Sequence, residues 1–414
     1  MPATLFTNVW IFDGSGSDRF FGEVLVEGKR ISKVAHGSDA IDCDGARRVD
    51  GDGATLMPGL IESHAHLSFT SSTQRIIRER IIPPEEHLLV TAYNARVYLD
   101  HGYTGAYSAG SKGPRFEIAL KKEIDAGYLP GPRLVASTFE RPAYTEKERQ
   151  GPAAIRKFIA DVAADGAQSI KLLLSGDDAF GDVGSKVVQY TEEEVTAAAE
   201  QAAESGVWLA AHAQAAGAVK MAARHRFRVI YHCTYADEEA LDLLEAAKDE
   251  MFVAPAIGIV YAKAYLGQKF GFTPEKVKEA GLLEQIELNV RVYAEMRKRG
   301  IRILPGGDYG FPWNPIGDNA RDLELFVALF AWTPAEVLSA ATKGGAALMD
   351  KADSLGQVRE GFLADLLLVR ENPLSNIAAL RDADSLLAIM QDGRFHKDPG
   401  RSALVERAGS LQAA

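Results

Sequence analysis

A chain of 414 residues, with 25% charged side chains and a formal net charge of −11 at pH 7, is long enough for one large domain with an appendage and needs no disulfide staples. The excess of 57 Asp and Glu over 46 Lys and Arg argues against a nucleic-acid partner, because phosphate backbones are bound by concentrated basic surface. Two cysteines far apart in sequence, Cys43 and Cys233, the lack of any apolar run of membrane-spanning length, and a start (MPATLFTNVWIFDGSG) without a basic-then-apolar leader predict a cytoplasmic protein with no membrane partner.

In chain order, TLFTNVWIFDGSGSDRFFGEVLVEGKRISKVAHG alternates apolar and polar residues between Gly and Asp turns, the pattern of short antiparallel strands. GSGSD lacks the lysine and the following helix of a phosphate loop and is read as a hairpin. The basic segment QRIIRERIIPP near residue 80 alternates Arg with Ile at helical spacing and is read as a solvated helix face. The middle of the chain then alternates strand-like runs with helical patterns, the rhythm of a parallel sheet. One helix start is marked by a capping box at Thr191 and Glu194, with Gly206 at its end. The strand candidates are GLIESHAHL, YTGAYSAG, PRLVAST, SIKLLLS, VWLAAHA, RVIYHC, MFVAPAI and RILPGGD. Eight such units predict an α/β fold, a (β/α)8 TIM barrel over residues 57–355. A doubly wound open sheet is the alternative, but no phosphate-binding glycine turn follows the first strand. SLGQVREGFLADLLLVRENP and SLLAIMQDGRFHK return to the strand-and-turn pattern, so residues 1–56 and 356–414 are expected to form one small β-sandwich domain from both ends of the chain.

The sharpest motif is His64-Ala65-His66 at the end of the first barrel strand. Side chains at i and i+2 of a strand share a face, so both imidazoles can converge on one ion, and imidazole suits zinc and similar transition metals. His212 closes the fifth strand candidate, His232 the sixth and Asp308 the eighth, the strand ends where a barrel carries its catalytic residues. Lys171 lies inside the fourth, SIKLLLSGDD, where a lysine is otherwise out of place. Read from this stretch alone, it is a lysine at the strand edge whose stem lies on apolar surface while its ammonium reaches water, and the histidines and aspartate at the other strand ends offer its amine a second destination. His36, His87, His101, His225 and His396 fall in helical, turn or sandwich segments and are read as surface or structural. Cys233 points away from the face that carries His232 and is read as core packing.

On these residues the chain resembles the amidohydrolase superfamily, in its binuclear branch with a carboxylated lysine. PGLIESHAH, VWLAAHA, CTYADEEA after His232, VAPAIGIVYA and GDNARDLEL are most similar to its imidazolonepropionase-related and Xaa-Pro dipeptidase-like members. The resemblance implies two divalent metal ions, Zn2+ foremost with Mn2+ or Co2+ as substitutes, and CO2 for conversion of Lys171 to N6-carboxylysine. It implies His64 and His66 on one ion, His212 and His232 on the other, the Lys171 carbamate between them, and Asp308 as both ligand and general base for a bridging hydroxide.

The implied reaction is hydrolysis of a C–N bond in a small-molecule amide, urea, carbamate or cyclic amide. A lactonase or esterase, or an Xaa-Pro-type dipeptidase, on the same centre remains an alternative, with a non-catalytic binding protein the third. The dipeptidase-like relatives carry a Gly-Gly-His segment after strand three where this chain reads VASTFERPAYTE. Arg141 is the candidate to replace its charge. Tyr261 is a candidate for the substrate carbonyl, and Tyr309, Phe311 and Trp313 for an aromatic wall. The loop opening at Ser175-Gly176-Asp177-Asp178 is expected over the same barrel mouth. The expected partners are a small-molecule substrate and further copies of the chain in a homo-oligomer.

Overall fold

A computed structural model describes residues 3–73, 82–142, 151–177 and 183–400. Residues 74–81 of the basic segment, residues 143–146 after strand three, Asp178, and the stretch from residue 401 lie outside the described residues. The chain divides into two compact units: Met1–Ile61 with Arg96–Gly105 and Trp332–Ala414, and Glu62–Ala95 with Ala106–Ala331. Among the described residues no helix is long and apolar enough to cross a membrane.

The strands are β1 (Thr4–Ile11), β2 (Phe20–Glu27), β3 (Arg30–His36), β4 (Arg47–Asp50), β5 (Thr55–Pro58), β6 (Leu60–Ala65), β7 (Tyr103–Ser108), β8 (Arg133–Val135), β9 (Arg141–Pro142), β10 (Ser169–Leu173), β11 (Trp208–Ala213), β12 (Val229–His232), β13 (Phe252–Ala254), β14 (Leu366–Val369), β15 (Leu386–Gln391) and β16 (Arg394–Lys397). In the first unit the strands from the two ends of the chain join one eight-stranded sheet, β16-β15-β14-β5-β1-β2-β3, with β4 on β1. Period-two alternation gives this sheet two apolar faces: Phe6, Val24 and Val26 enter one cluster, their neighbours Leu5 and Leu25 the other.

The second unit is the barrel. Its strands form two hydrogen-bonded arcs, β6-β7-β8 and β9-β10-β11-β12-β13, and the pairs within the second arc are parallel. The Gln168 N–H donates to Ala136 O at 2.9 Å, which ties the segment after β8 to the start of β10. Among the described residues, the eighth segment, expected as a strand, pairs only through a parallel bridge between Ile303 and Val253. The reason is local: Pro305 has no N–H to give a ladder, and Gly306 and Gly307 follow it. Its register is held by side chains instead, with Ser63 Oγ donating to Pro305 O at 2.5 Å. The short strand β9 was not foreseen, and it pairs with the far end of β10, opposite Leu172 and Leu173.

The helix Glu192–Ser205 begins and ends as its sequence predicts. Thr191 accepts from the Glu194 N–H while the Glu194 carboxylate accepts from the Thr191 N–H, and Gly206 closes the helix in the left-handed conformation. Such a cap is worth about 1 kcal/mol. Four non-glycine residues at the C-terminal ends of barrel strands also have positive φ: His232 (75°), Cys233 (50°), Ala256 (51°) and Asp308 (58°). Each such residue costs about 1–3 kcal/mol, and strain of this kind persists where surrounding contacts enforce it.

Candidate metal centre

β6 delivers His64 and His66 to one face, with ring centroids 5.1 Å apart and both side chains buried. The eighth segment brings Asp308 against them: Oδ1 lies 3.3 Å from His66 Nε2 and 3.9 Å from His64 Nε2. The ligand atoms of these three residues lie within 4.8 Å of one another. β11 and β12 place His212 and His232 beside them, with centroids 4.4 Å apart and His232 5.6 Å from His64. β10 brings in Lys171, whose side chain is 1% exposed and whose Nζ sits 4.4 Å above the Tyr231 ring. Tyr231 forms the floor, because the same ring stacks on His64 at 3.9 Å and its hydroxyl donates to Ser63 O at 2.8 Å. All six sequence-predicted ligand residues therefore share one end of the barrel.

The hydrogen bonds of this group fit a metal site. His66 Nδ1 meets Gly110 O at 3.0 Å, and a carbonyl only accepts, so the proton sits on Nδ1 and the Nε2 lone pair faces Asp308. His212 is arranged the other way: Nε2 donates to Gly176 O at 3.1 Å, which leaves Nδ1 as its lone-pair atom. Both ring nitrogens of His64, Nε2 of His232 and Oδ1 of Asp308 are buried and make no hydrogen bond. Other buried polar atoms among the described residues also lack partners, but these four are gathered on two histidines and a carboxylate, side chains whose open atoms suit a cation. Burial, together with the nearby Lys171, holds His64 well below the ordinary imidazole range. Burial and the neighbouring His212 do the same for His232, and the neutral imidazole is the form that binds metal.

Behind the candidate ligands lies a set of residues of which only Glu62, two before His64 on β6, shares the period-two pattern. Glu62 accepts from the His64 N–H at 3.0 Å and from Asn319 Nδ2 at 2.8 Å, and burial pushes its carboxyl up to about 8. Asp322 accepts from the Gly306 N–H at 2.8 Å and is likewise raised by burial, to about 7. Asn314, fully buried, donates from Nδ2 to Gly307 O at 2.9 Å and to Asp308 O at 2.7 Å. Its own Oδ1 accepts from Arg321, which also pairs with Asp318 at 2.5 Å. One side chain thus clamps the backbone on both sides of Asp308 in its left-handed conformation.

Glu140 is the largest surprise. It stands at the end of VASTFE, with its Oε1 3.4 Å from Lys171 Nζ and its Oε2 3.8 Å from Lys112 Nζ. Burial alone would raise its carboxyl, but the Lys171 ammonium beside it holds it at about 2. A Cβ at Gly110, where φ is +122°, would collide with the Glu140 side chain, so only glycine lets the carboxylate approach.

The residues expected to touch substrate are dispersed. The Arg141 guanidinium lies 4.5 Å above the ring of Phe158, on the helix Gly151–Asp165. Tyr261 ends the helix Ile257–Tyr261 and packs on Tyr265 at 4.8 Å. Tyr309 is wholly buried, 5.6 Å from the Arg321 guanidinium carbon. An aromatic ladder does lead outward from the ligands: Phe69 stacks on His66 at 4.1 Å, Phe311 meets Phe69 at 5.4 Å, and Trp313 stacks on Phe311 at 5.5 Å. Phe272 meets Trp313 edge-on at 5.0 Å, and the Trp313 indole N–H has no hydrogen-bond partner.

Comparison with known proteins agrees with this architecture. The Aspergillus niger ochratoxinase is 28% identical over 249 residues, which are 59% of this chain and 50% of that protein, so the chain spans about half the length of this relative. The imidazolonepropionase of Cupriavidus taiwanensis is 23% identical over 415 residues, 92% of each chain. A solved Xaa-Pro dipeptidase with bound methionine in its active site has the same fold, with a TM-score of 0.83 and 24% identity over 96% of this chain and 100% of that one. The model of the amidohydrolase family, whose members generally use metal ions, matches residues 55–395, and the chain belongs to that family.

Proposed function

We propose that the protein is a metal-dependent amidohydrolase that cleaves a C–N bond in a small neutral amide, urea, carbamate or cyclic amide. The observation that carries this reading is the set of four orphaned, buried atoms on His64, His232 and Asp308, gathered beside His66, His212 and Lys171 at one end of the barrel. Two divalent ions, Zn2+ foremost, would be held by His64, His66 and Asp308 on one side and His212 and His232 on the other, with carboxylated Lys171 serving both. Bound there, they would supply Lewis acidity toward the substrate carbonyl and make a water molecule a nucleophile near neutral pH. The protein's own share is proton handling and orientation. Asp308 Oδ1, free of hydrogen bonds, takes the proton of the attacking water and returns it to the leaving nitrogen. The carbonyls of Gly110 and Gly176 hold His66 and His212 in opposite tautomers, so each presents its lone pair inward.

Two features bear on the substrate. Glu140 puts an anion into the loop where the dipeptidase-like relatives carry their Gly-Gly-His segment, and it already engages Lys112. A substrate with a free carboxylate would meet repulsion there, which favours a neutral amide, urea or carbamate over a dipeptide. The ladder ending in Trp313, with its unpaired indole N–H, suits an apolar or aromatic portion with one acceptor. The test is a panel of amides and matched esters assayed on protein stripped with a chelator and reloaded with Zn2+, Mn2+ or Co2+ in bicarbonate. Activity should vanish on stripping, return on loading, and show a higher kcat/KM for amides than for their esters. A protein that takes up no metal and stays inert would sink the proposal, and an ester preference would move it to the lactonase reading.

A further inference from the structure

Lys171 Nζ has two protein acceptors. It donates to Ala109 O at 3.1 Å and to Glu140 Oε1 at 3.4 Å. The Ala109 carbonyl belongs to a backbone segment fixed by the Ala109 N–H, which donates to Ala65 O at 2.8 Å. Glu140 is instead a side chain on the segment between β8 and β9, with 19% of it exposed, and its second oxygen faces Lys112. Lys112 Nζ in turn lies 4.4 Å above the ring of Phe69, the ring that stacks on His66. Glu140 therefore stands between two cations, one within the ligand cluster and one at its edge.

We propose that Glu140 exchanges partners as the site loads: it pairs with Lys171 while the amine is unmodified and with Lys112 once Lys171 carries its carboxylate. The inference rests on the reading of Lys171 as a carboxylysine. In that reaction the ammonium first loses one proton to water. The nitrogen lone pair then forms the C–N bond to CO2 as one C=O π pair moves onto oxygen, and water takes the second proton that leaves the nitrogen. An ammonium offers three N–H donors, whereas the carbamate nitrogen keeps one. Two acceptors then compete for a single donor. Ala109 O is nearer and fixed in place, while Glu140 is farther, can turn, and now faces a like charge. Its nearest other cation is Lys112. Glu140 thus opposes loading by stabilising the unmodified amine, and Lys112 favours loading by receiving the released carboxylate, so both act as positioning residues for the bridging group.

The experiment loads the metal-stripped full-length protein with Zn2+ across a series of 13C-bicarbonate concentrations, following the carbamate carbon by NMR alongside metal stoichiometry. Glu140→Gln keeps the shape and removes the charge. It should lower the bicarbonate needed for half-loading by about threefold, the scale of a partly exposed ion pair, and Lys112→Met should raise it similarly. The double variant should behave like Glu140→Gln alone, since Lys112 acts through Glu140. A purely structural role for Lys112 would survive in the double variant and would overturn the proposal. A labelled wild type whose half-loading is unmoved by either substitution overturns this inference alone. A wild type that binds metal without label overturns the carboxylysine reading and this one with it. Loss of metal in Glu140→Gln would make Glu140 a ligand, and that too overturns the proposal.

Discussion

The two halves of the candidate centre are built differently. Around β6 and the eighth segment, His64, His66 and Asp308 are gathered and braced from behind: Glu62 on the His64 backbone, Asn314 on both sides of Asp308, Gly110 on His66. Around β10, β11 and β12, Lys171 and His64 both lie on the Tyr231 ring, His212 and His232 stand edge to face, and Glu140 is engaged with Lys171. The first half gathers three ligand-type side chains as it stands, whereas under the proposed function the second would be completed by chemistry on Lys171. If Lys171 bridges two ions as proposed, the preassembled half should tolerate its loss better than the half that depends on it.

Lys171→Ala is the strongest way to break this asymmetry. Metal content should fall by at least one ion per chain, and turnover should fall with it by about 10³-fold or more, the scale expected when a group central to transition-state stabilisation is removed. Elemental analysis beside a kcat measurement checks both, and unchanged occupancy and turnover would refute the bridging role. Asn314→Asp probes the preassembled half more gently. The carboxylate keeps the volume and the Arg321 contact but cannot donate to Gly307 O and Asp308 O, so the Asp308 backbone loses its clamp. Displacement of a reacting group by about 1 Å costs around 100-fold. The expected signature is therefore a fall in kcat of about that size with KM nearly constant, together with a lower melting temperature because a buried carboxylate now faces two carbonyl oxygens. A KM that worsens in parallel with kcat and stability would mean that Asn314 only holds the loop together.

Much of this was legible from the chain. His64 and His66 announce themselves through period-two geometry, and Lys171, His212, His232 and Asp308 through a shared position near strand ends, which is why the fold and the candidate cluster emerge together. The braces were not legible, because Glu140, Asn314 and Asn319 sit in irregular segments and Asp322 in an ordinary-looking first turn of a helix; their partners are far away in sequence or are backbone carbonyls. The eighth strand failed for a reason that is in the sequence, Pro305 followed by two glycines, but hydrophobic pattern outweighed it. The direction of Tyr309 was not legible either, because an aromatic next to Asp308 has none until the left-handed turn at Asp308 sets it, and Tyr309 is wholly buried.

The smallest effect tests a buried acid outside the ligand set. Glu117 lies on the helix Phe116–Asp125, wholly buried, with Oε2 accepting from the Ser137 N–H at 3.2 Å. Burial pushes its carboxyl up from 4.5 to about 8, against hydrogen bonds that pull it down. The folded chain therefore holds this proton more tightly than the unfolded chain does. Its contribution is complete below the unfolded value near 4.5 and is lost as pH rises through about 8. Within that window the stability of the wild type should decline by about 1.4 kcal/mol per pH unit at the steepest. Glu117→Gln does not titrate, so the difference in melting temperature between wild type and variant should drift against the wild type from pH 5 to pH 8 and level off on either side. Two parallel curves over that range would show that Glu117 keeps its charge in the fold, compensated by its hydrogen bonds.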